Sequence, residues 1–387
     1  MAVVTVHPRV GARRRAGHLW VYASDVLDSG QAASGDIVRV VDARGKPMGF
    51  AFYSPSSQIA LRFVADANET PEPEFWRQRL LAAAAYRHQV VEDTEAYRLV
   101  FGESDRLPSL IIDRYGDSFV LQTLTPGMER LKGMWVDLLR ELYAPRAIVE
   151  RNDVKARTLE GLPLQKGVLD GSLSEPVRIR MNDLIFEVDV INGQKTGAFL
   201  DQRENYRVAA RYARGRCLDG FCFNGGFALH LARRAESVLA VDISAEALAA
   251  GRRNAELNGL SNITFVEANL FDYLRELDKR REAFDLIVLD PPAFAKSRAA
   301  LEGALRGYKE INLRALRLLR PGGILMTCSC SYHLSEEMLL AILQEAAADA
   351  GRSCRILERR TQARDHPVLL AMPETYYLKC VVLHVVQ

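Results

Sequence analysis

The run Arg216-Cys217-Leu218-Asp219-Gly220-Phe221-Cys222-Phe223-Asn224-Gly225-Gly226-Phe227 sets a short apolar segment against an acid and then a glycine-rich turn. Residues 228–233 after it read as a helix. Small residues let a chain turn sharply and let a ligand approach the backbone. On either side the same strand–helix rhythm repeats. Strands are expected at 216–219, 238–242, 263–266, 286–290 and 324–328, with helices between them such as 245–258 and 307–319. This alternation predicts an α/β domain, a doubly wound and mostly parallel sheet with right-handed crossovers. Ligands of such sheets bind outside the carboxyl ends of the strands. Three of those ends carry chemistry: Asp219, then Asp290-Pro291-Pro292-Ala293-Phe294, then Thr327-Cys328-Ser329-Cys330-Ser331. The last run follows Leu319-Arg320-Pro321-Gly322-Gly323, a turn that launches the apolar residues Ile324, Leu325 and Met326.

The chain has 387 residues, which suits two or three domains rather than one core. Residues 1–68 are β-like: 36–42 and 49–53 flank a hairpin turn, 58–64 alternates, and a small barrel or sandwich is expected. Residues 69–180 form a linker helix (75–91) and a central α+β domain. That domain has strands at 97–101, 109–113, 118–123 and 147–151, a helix at 127–143, and a hairpin or connector at 161–176. The doubly wound domain occupies 181–387. A net charge of +2 argues against a non-specific nucleic-acid coat but leaves room for a local basic patch, and Arg9, Arg13, Arg14 and Arg15 form one. The bland reading of that patch is a solvated face. No apolar run reaches the ~18 residues of a membrane span, and no apolar segment precedes the arginines, so neither a membrane partner nor a secretory signal is expected. Six scattered cysteines without zinc spacing imply free thiols in a reducing cytoplasm and no metal.

Asp242 stands 23 residues beyond Asp219, at the end of the second strand. In nucleoside-binding α/β folds an acid at about that spacing bonds ribose hydroxyls. A dinucleotide is the natural competitor, but the G-x-G-x-x-G spacing is missing and a carboxylate at Asp219 repels a pyrophosphate. S-adenosylmethionine has no phosphate and carries a ribose, an α-ammonium and a sulfonium, so acids suit it. The plain alternative is a glycine turn that binds nothing.

Prolines fix the backbone after Asp290 and hold its carboxylate toward the crevice. Amino-methylating enzymes often show Asn-Pro-Pro-aromatic there. Asp290 and Ala293 in those places turn the reading toward carbon methylation. Cytosine C5 is a poor nucleophile until a thiolate adds to C6, which divides one difficult step into easier ones. Cys330 is the candidate nucleophile because it lies further out than Cys328. By strand alternation the two share a face, both able to point into the crevice, and the bland reading of each is a buried, inert thiol. Lys296 or Lys309 could raise the thiolate fraction, and Asp290 could hold the base edge. Cys217 and Cys222 read as packing residues. His18, His230, His333 and His366 read as structural or surface groups.

These residues together resemble a known family, the bacterial 23S rRNA cytosine-C5 methyltransferases of the ribosomal large subunit methyltransferase I type. The resemblance rests on Lys195–Arg203, Asp219–Phe227, Val241–Ser244, Asp290–Phe294, Gly307–Asn312 and Cys328–Cys330, with Gly102–Asp105, Ile112–Tyr115 and Glu150–Asp153 upstream. It implies an N-terminal PUA-like domain, a central α+β domain and a C-terminal class I methyltransferase (Rossmann-like) domain. It implies Cys330 as nucleophile and a cofactor cover around Phe199–Arg203, which adds Phe199, Asp201 and Arg203. With Asp219, Gly220, Phe221, Asn224, Gly225, Gly226, Asp242, Ile243, Asn269 and Asp290 these are the candidate cofactor residues. The chain departs from the family at Asn269 (usually Asp), at Ala293 (commonly Lys), and at Arg106 and Ser109, which replace glycines. It also lacks the second cysteine that many other RNA cytosine-C5 methyltransferases carry after the Asp-Pro pair.

The function so implied is S-adenosylmethionine-dependent methylation of cytosine C5 in 23S rRNA, with RNA as partner and a homodimer suggested by the resemblance. Trp20 and Tyr22 beside the arginines would hold neighbouring RNA. The alternatives are methylation of another RNA atom, such as guanine N2, and a non-catalytic RNA-binding or ribosome-assembly protein on a methyltransferase fold.

Overall fold

The computed structural model describes residues 1–295 and 298–386. The chain divides into two compact units: Met1–Ile179 with Val188–Ala198 and Arg364–Thr375, and Arg180–Glu187 with Phe199–Ala363 and Tyr376–Gln387. Among the described residues no helix is long and apolar enough to cross a membrane.

The first unit holds two sheets. Strands β1 (Val3–Val6), β2 (Trp20–Tyr22), β3 (Val26–Asp28), β4 (Ile37–Asp42), β5 (Pro47–Tyr53) and β6 (Ile59–Ala65) form one in the order β2-β6-β5-β4-β1-β3. The expected hairpin is β4–β5, with Val40 opposite Gly49. Helix α1 (Arg9–Arg15) carries the N-terminal arginines. Three of these arginines are paired within the unit. Arg9 and Arg13 ion-pair with Asp25, and Arg14 with Asp66. Arg13 covers the Tyr22 ring at 5.4 Å, and Trp20 Nε1 donates to Glu103 Oε1 at 2.9 Å. The cause is burial: Asp25 is 2% exposed, and a carboxylate taken from water needs cationic partners.

The second sheet of this unit has the order β11-β10-β9-β8-β7. Its strands are β7 (Ala96–Phe101), β8 (Leu110–Tyr115), β9 (Ser118–Thr123), β10 (Ala147–Asn152) and β11 (Gln165–Gly171), packed with α2 (Pro73–Val90) around buried Trp76 and Trp135. Two expectations are corrected here. The helix read over 127–143 is broken at Leu131 (φ −90°, ψ 0°) into α3 (Pro126–Arg130) and α4 (Lys132–Tyr143). The stretch 161–176, read as a hairpin or connector, contains edge strand β11, paired antiparallel with β10. Its glycines and charges disguise it, and pairing overrides weak propensity. Arg106 (φ 56°) and Ser109 (φ 68°) both occupy the left-handed region. The turn therefore keeps the shape glycine favours although glycine is absent. After α5 (Ala156–Leu159) comes a hairpin of β12 (Val177–Met181) and β13 (Leu184–Val188), turned by Asn182 and Asp183 at positive φ.

The second unit alternates as expected: α6 (Arg203–Tyr212), β14 (Arg216–Gly220), α7 (Gly226–Ala232), β15 (Ser237–Asp242), α8 (Ala245–Leu257), β16 (Ile263–Glu267), α9 (Leu270–Lys279) and β17 (Phe284–Leu289). Then follow α10 (Leu301–Leu318), β18 (Leu319–Ser329), α11 (Glu336–Asp349), β19 (Cys354–Arg360) and β20 (Lys379–Val385). Helix α10 starts at Leu301 rather than at 307. The turn before Ile324 survives as a pairing irregularity within β18. The sheet order is β16-β15-β14-β17-β18-β20-β19. Strands β14 to β18 run parallel, while β20 runs antiparallel to both β18 and β19. Chain order reverses between β14 and β17, so the crevice opens beside Asp219 and Asp290. Leu218, Ile287, Leu325 and Val381 fill one core against α9, α10 and α11.

Candidate active site

Strand β14 delivers Asp219 into the interior, where it is fully buried. Its Oδ2 accepts from the Ala228 backbone N–H in α7 at 2.7 Å. Its Oδ1 has no hydrogen-bond partner among the described residues. Burial pushes the carboxyl well above the ordinary carboxylate range, with the negative fields of Asp290 and Asp242 adding to the rise. The group sits beneath the surface. What the site does hold is three carboxylates in one another's field, an arrangement relieved by a ligand carrying positive charge. That donor set fits S-adenosylmethionine.

Downstream, the chain is strained. Phe221 (φ 66°) and Phe223 (φ 49°) both sit in the left-handed region, at a cost on the order of 1–3 kcal/mol each. Asp242 holds Phe223 there: its Oδ2 accepts from Phe223 N at 2.8 Å, and its Oδ1 accepts from Ser244 N at 2.9 Å. Each oxygen keeps a further lone pair for a ligand hydroxyl. The Phe199 ring stands edge-on to Phe223, centroids 5.1 Å apart. Gly226 is demanded by packing, since a Cβ there would lie 2.6 Å from the Tyr206 hydroxyl. Gly220 is likewise closed in by Leu270, while Gly225 supplies φ +89° ahead of α7. Asn224 is buried, and its carbonyl accepts from Asn254. Ile243 is 71% exposed beside Asp242. Asn269 is exposed, and its Oδ1 caps α9 by accepting from Phe271 N at 3.0 Å. Asp201 and Arg203 are buried, and Asp201 Oδ2 accepts from the Tyr377 hydroxyl at 2.7 Å. Buried Tyr206 feels the charges of Asp290, Asp201 and Asp219, so these acids share one neighbourhood.

The two cysteines of the expected shared face part company. Cys328 is fully buried opposite Cys380 on β20, and its thiol is pushed well up by the Cys380 contact and by burial. Cys330 lies past the end of β18 and is partly exposed. Alternation holds here, with both flanking serines pinned on one face. The Tyr308 hydroxyl meets Ser329 Oγ at 2.9 Å and Ser331 Oγ at 3.1 Å. Ser331 Oγ also accepts from Ala295 N, and Ser329 Oγ from Ser331 N, each at 3.2 Å. With both neighbours drawn inward and fully buried, the residue between them faces out. Asp290 is partly buried, and its N–H donates to Gly220 O at 3.3 Å across the switch point. Phe294 packs on Tyr308 and Phe271, with centroids at 4.7 and 5.7 Å.

Of the two lysines named from the sequence, only Lys309 falls among the described residues, and it is engaged elsewhere. Lys309 is bound to Glu345 and Asp349, both at 3.0 Å, and Lys296 lies outside the described residues. Among the described residues a cation beside Cys330 is Lys379, at the start of β20 and 2% exposed. Its Nζ donates to Ser331 O at 2.8 Å and to Tyr377 O at 2.9 Å.

Comparison with known proteins accords with this geometry. A family model for S-adenosylmethionine-dependent methyltransferases matches residues 166–374, and a PUA-like domain model matches residues 4–66. Ribosomal RNA large subunit methyltransferase I of Tolumonas auensis is 43% identical over 95% of this chain and 96% of its own length. The protein of the same name from Aeromonas hydrophila subsp. hydrophila is 43% identical over 95% of each. The chain belongs to the ribosomal RNA large subunit methyltransferase I family. Its methyl donor is S-adenosylmethionine. The fold is shared with the crystal structure of SMU.776 complexed with SAH, at TM-score 0.85, 18% identity and 100% coverage of both chains.

Within this family member, sequence reading missed Tyr308 and Lys379 as site residues and Tyr206 as the ring behind Gly226. Tyr308 lay inside a quoted motif but carried no role. Lys379 had one usable signal, a lone charge heading the apolar run Cys380-Val381-Val382-Leu383. Cys217 and Cys222 are buried, and none of the six cysteines forms a disulfide. His230 is buried against Tyr206, and burial pushes its pKa down to about 4.

Proposed function

We propose that this enzyme methylates C5 of a cytosine in 23S ribosomal RNA, with Cys330 forming a transient bond to C6. The observation that carries the reading is a partly exposed thiol at the carboxyl edge of a methyltransferase sheet, turned outward by two pinned serines. When bound, S-adenosylmethionine supplies an activated methyl on a sulfonium. In this reading Asp219, Asp242, Ile243 and Asn269 hold that donor, with the strained turn Phe221–Gly226 along its backbone and Phe199 from the segment that ends at Asp201 and Arg203. Cys330 Sγ adds to C6 of an extruded cytosine, and Asp290 holds the base edge and steadies a protonated N3. Electron density then gathers at C5, which takes the methyl. Loss of the C5 proton to a base and departure of the thiolate restore the ring. Extruding the base costs a few kcal/mol. The PUA-like residues would contribute neighbouring RNA contacts. Residues 1–68, 69–180 and 181–387 are read as three functional divisions, and a ribosomal substrate assigns the enzyme to the cytoplasm.

The test is methylation of 23S RNA by wild type and Cys330→Ala, with mass mapping of the modified nucleotide. 5-Methylcytosine from wild type and none from the variant are expected. A methylated guanine amine, or full methylation by Cys330→Ala, overturns the proposal.

A further inference from the structure

We propose that Lys379 is a positioning residue for Cys330: anchored to the carbonyl that follows the cysteine, its ammonium holds the thiol outward and stabilises the thiolate. The inference rests on the reading of Cys330 as nucleophile.

A buried ammonium is costly unless compensated. Lys379 sits opposite Ser329 in the β18–β20 register and bonds Ser331 O, so it engages the residues on both sides of Cys330. Two of its three N–H donors go to carbonyls. Among the described residues it makes no ion pair with a carboxylate. Two acidic groups face it closely enough to favour its charge, Cys330 first and Glu336 of α11 second. Glu336 is already committed: its Oε2 accepts from the Tyr376 hydroxyl at 2.9 Å, and its Oε1 lies 3.6 Å from Arg359. Tyr308, which faces Cys330 from α10, is committed to the two serines. Cys328 faces Cys380 and feels Asp290 from the end of β17. Of the two acidic groups whose fields favour the ammonium, the Cys330 thiolate is the stronger. On its formation the S–H proton leaves to solvent and Lys379 keeps its three. Burial lowers the Lys379 pKa to about 8, against the raising fields of Cys330 and Glu336. The support therefore holds below pH 8 and fades as the amine loses its charge above it.

Iodoacetamide alkylation of the full chain from pH 5.5 to 9.5, read on the Cys330 peptide by mass spectrometry, tests this. Wild type is expected to show an apparent thiol pKa below the free value of about 8.5. Lys379→Met is expected to raise it by a unit or more and slow labelling at pH 7 about tenfold, and Lys379→Arg to restore most of the rate. An unchanged profile in Lys379→Met overturns the inference, as does an equal loss in Lys379→Arg, which marks a packing role alone. Should Lys379→Met fail to fold, an ordinary thiol pKa in wild type overturns it too. Because alkylation needs no methyl transfer, its outcome is separate from the Cys330→Ala assay. Methylation that persists without Cys330 sinks the nucleophile reading even where the Lys379 effect is seen.

Discussion

Deleting one oxygen atom, in Tyr308→Phe, removes the lock that turns Cys330 outward. Tyr308 is fully buried, so the ring and its packing on Phe294 stay while the hydroxyl goes. Two hydrogen bonds are lost, to Ser329 Oγ and Ser331 Oγ. The serine oxygens keep their backbone donors, Ser331 N and Ala295 N. The Ser329 hydroxyl proton, which was given to Tyr308, loses its acceptor in a dry site. A buried donor left unmade costs about 1–3 kcal/mol. To the extent that this falls on the orientation of Cys330 in the transition state, at ~1.4 kcal/mol per decade, kcat drops roughly five- to a hundredfold. Donor affinity stays unchanged, because Asp219 and Asp242 are untouched. Three measurements on one preparation suffice: urea unfolding, calorimetric titration with S-adenosylmethionine, and RNA methylation rates. Wild-type stability together with a wild-type rate would refute the lock. Donor binding lost in step with rate would show general disruption instead.

Arg106→Gly and Ser109→Gly are each expected to stabilise the protein by about 0.5–1 kcal/mol, since left-handed backbone suits glycine and the half-exposed Arg106–Asp66 pair is worth little; denaturant unfolding checks this, and a loss in both contradicts it. Asp219→Asn should weaken S-adenosylmethionine binding roughly 10- to 100-fold. Its ligand-free stability at pH 8 should match or exceed wild type. The folded carboxyl is raised, so the unfolded chain ionises first and stability falls as pH climbs through the folded pKa, a slope that asparagine removes. For His230, with its pKa pushed down to about 4, the sign is opposite. The unfolded chain takes the proton first, so stability is lost as pH falls from about 6.5 to about 4. His230→Gln should flatten that limb of the urea-unfolding profile.

The parallel core was legible because β14, β15, β17 and β18 are apolar runs that stop on acids or cysteines, a local signal. What escaped depends on partners distant in sequence. β20 returns antiparallel, so its first residue, Lys379, arrives beside the last residues of β18, and no spacing rule links 379 to 330. Cys328 and Cys330 differ in burial because β18 ends at Ser329, so Cys328 lies within the sheet and Cys330 beyond it. The pinning of Ser329 and Ser331 by Tyr308 likewise joins residues more than twenty apart in sequence. Phe221 and Phe223 contradict local preference, as large side chains rarely take positive φ, and only the hydrogen bond from Phe223 to Asp242 explains one of them. The ion pairs of Arg9, Arg13 and Arg14 were not legible because Asp25 and Asp66 become their partners only once the first sheet has folded.

The most direct trial is to mix the full chain and S-adenosylmethionine with 23S RNA containing 5-fluorocytosine, whose C5–F bond prevents release, and to sequence the protein–RNA adduct. One RNA-bearing peptide, attached through Cys330 to C6 of a single cytosine, is the expected result. An adduct on Cys328 or any other residue, or none under conditions where ordinary RNA is methylated, contradicts the account.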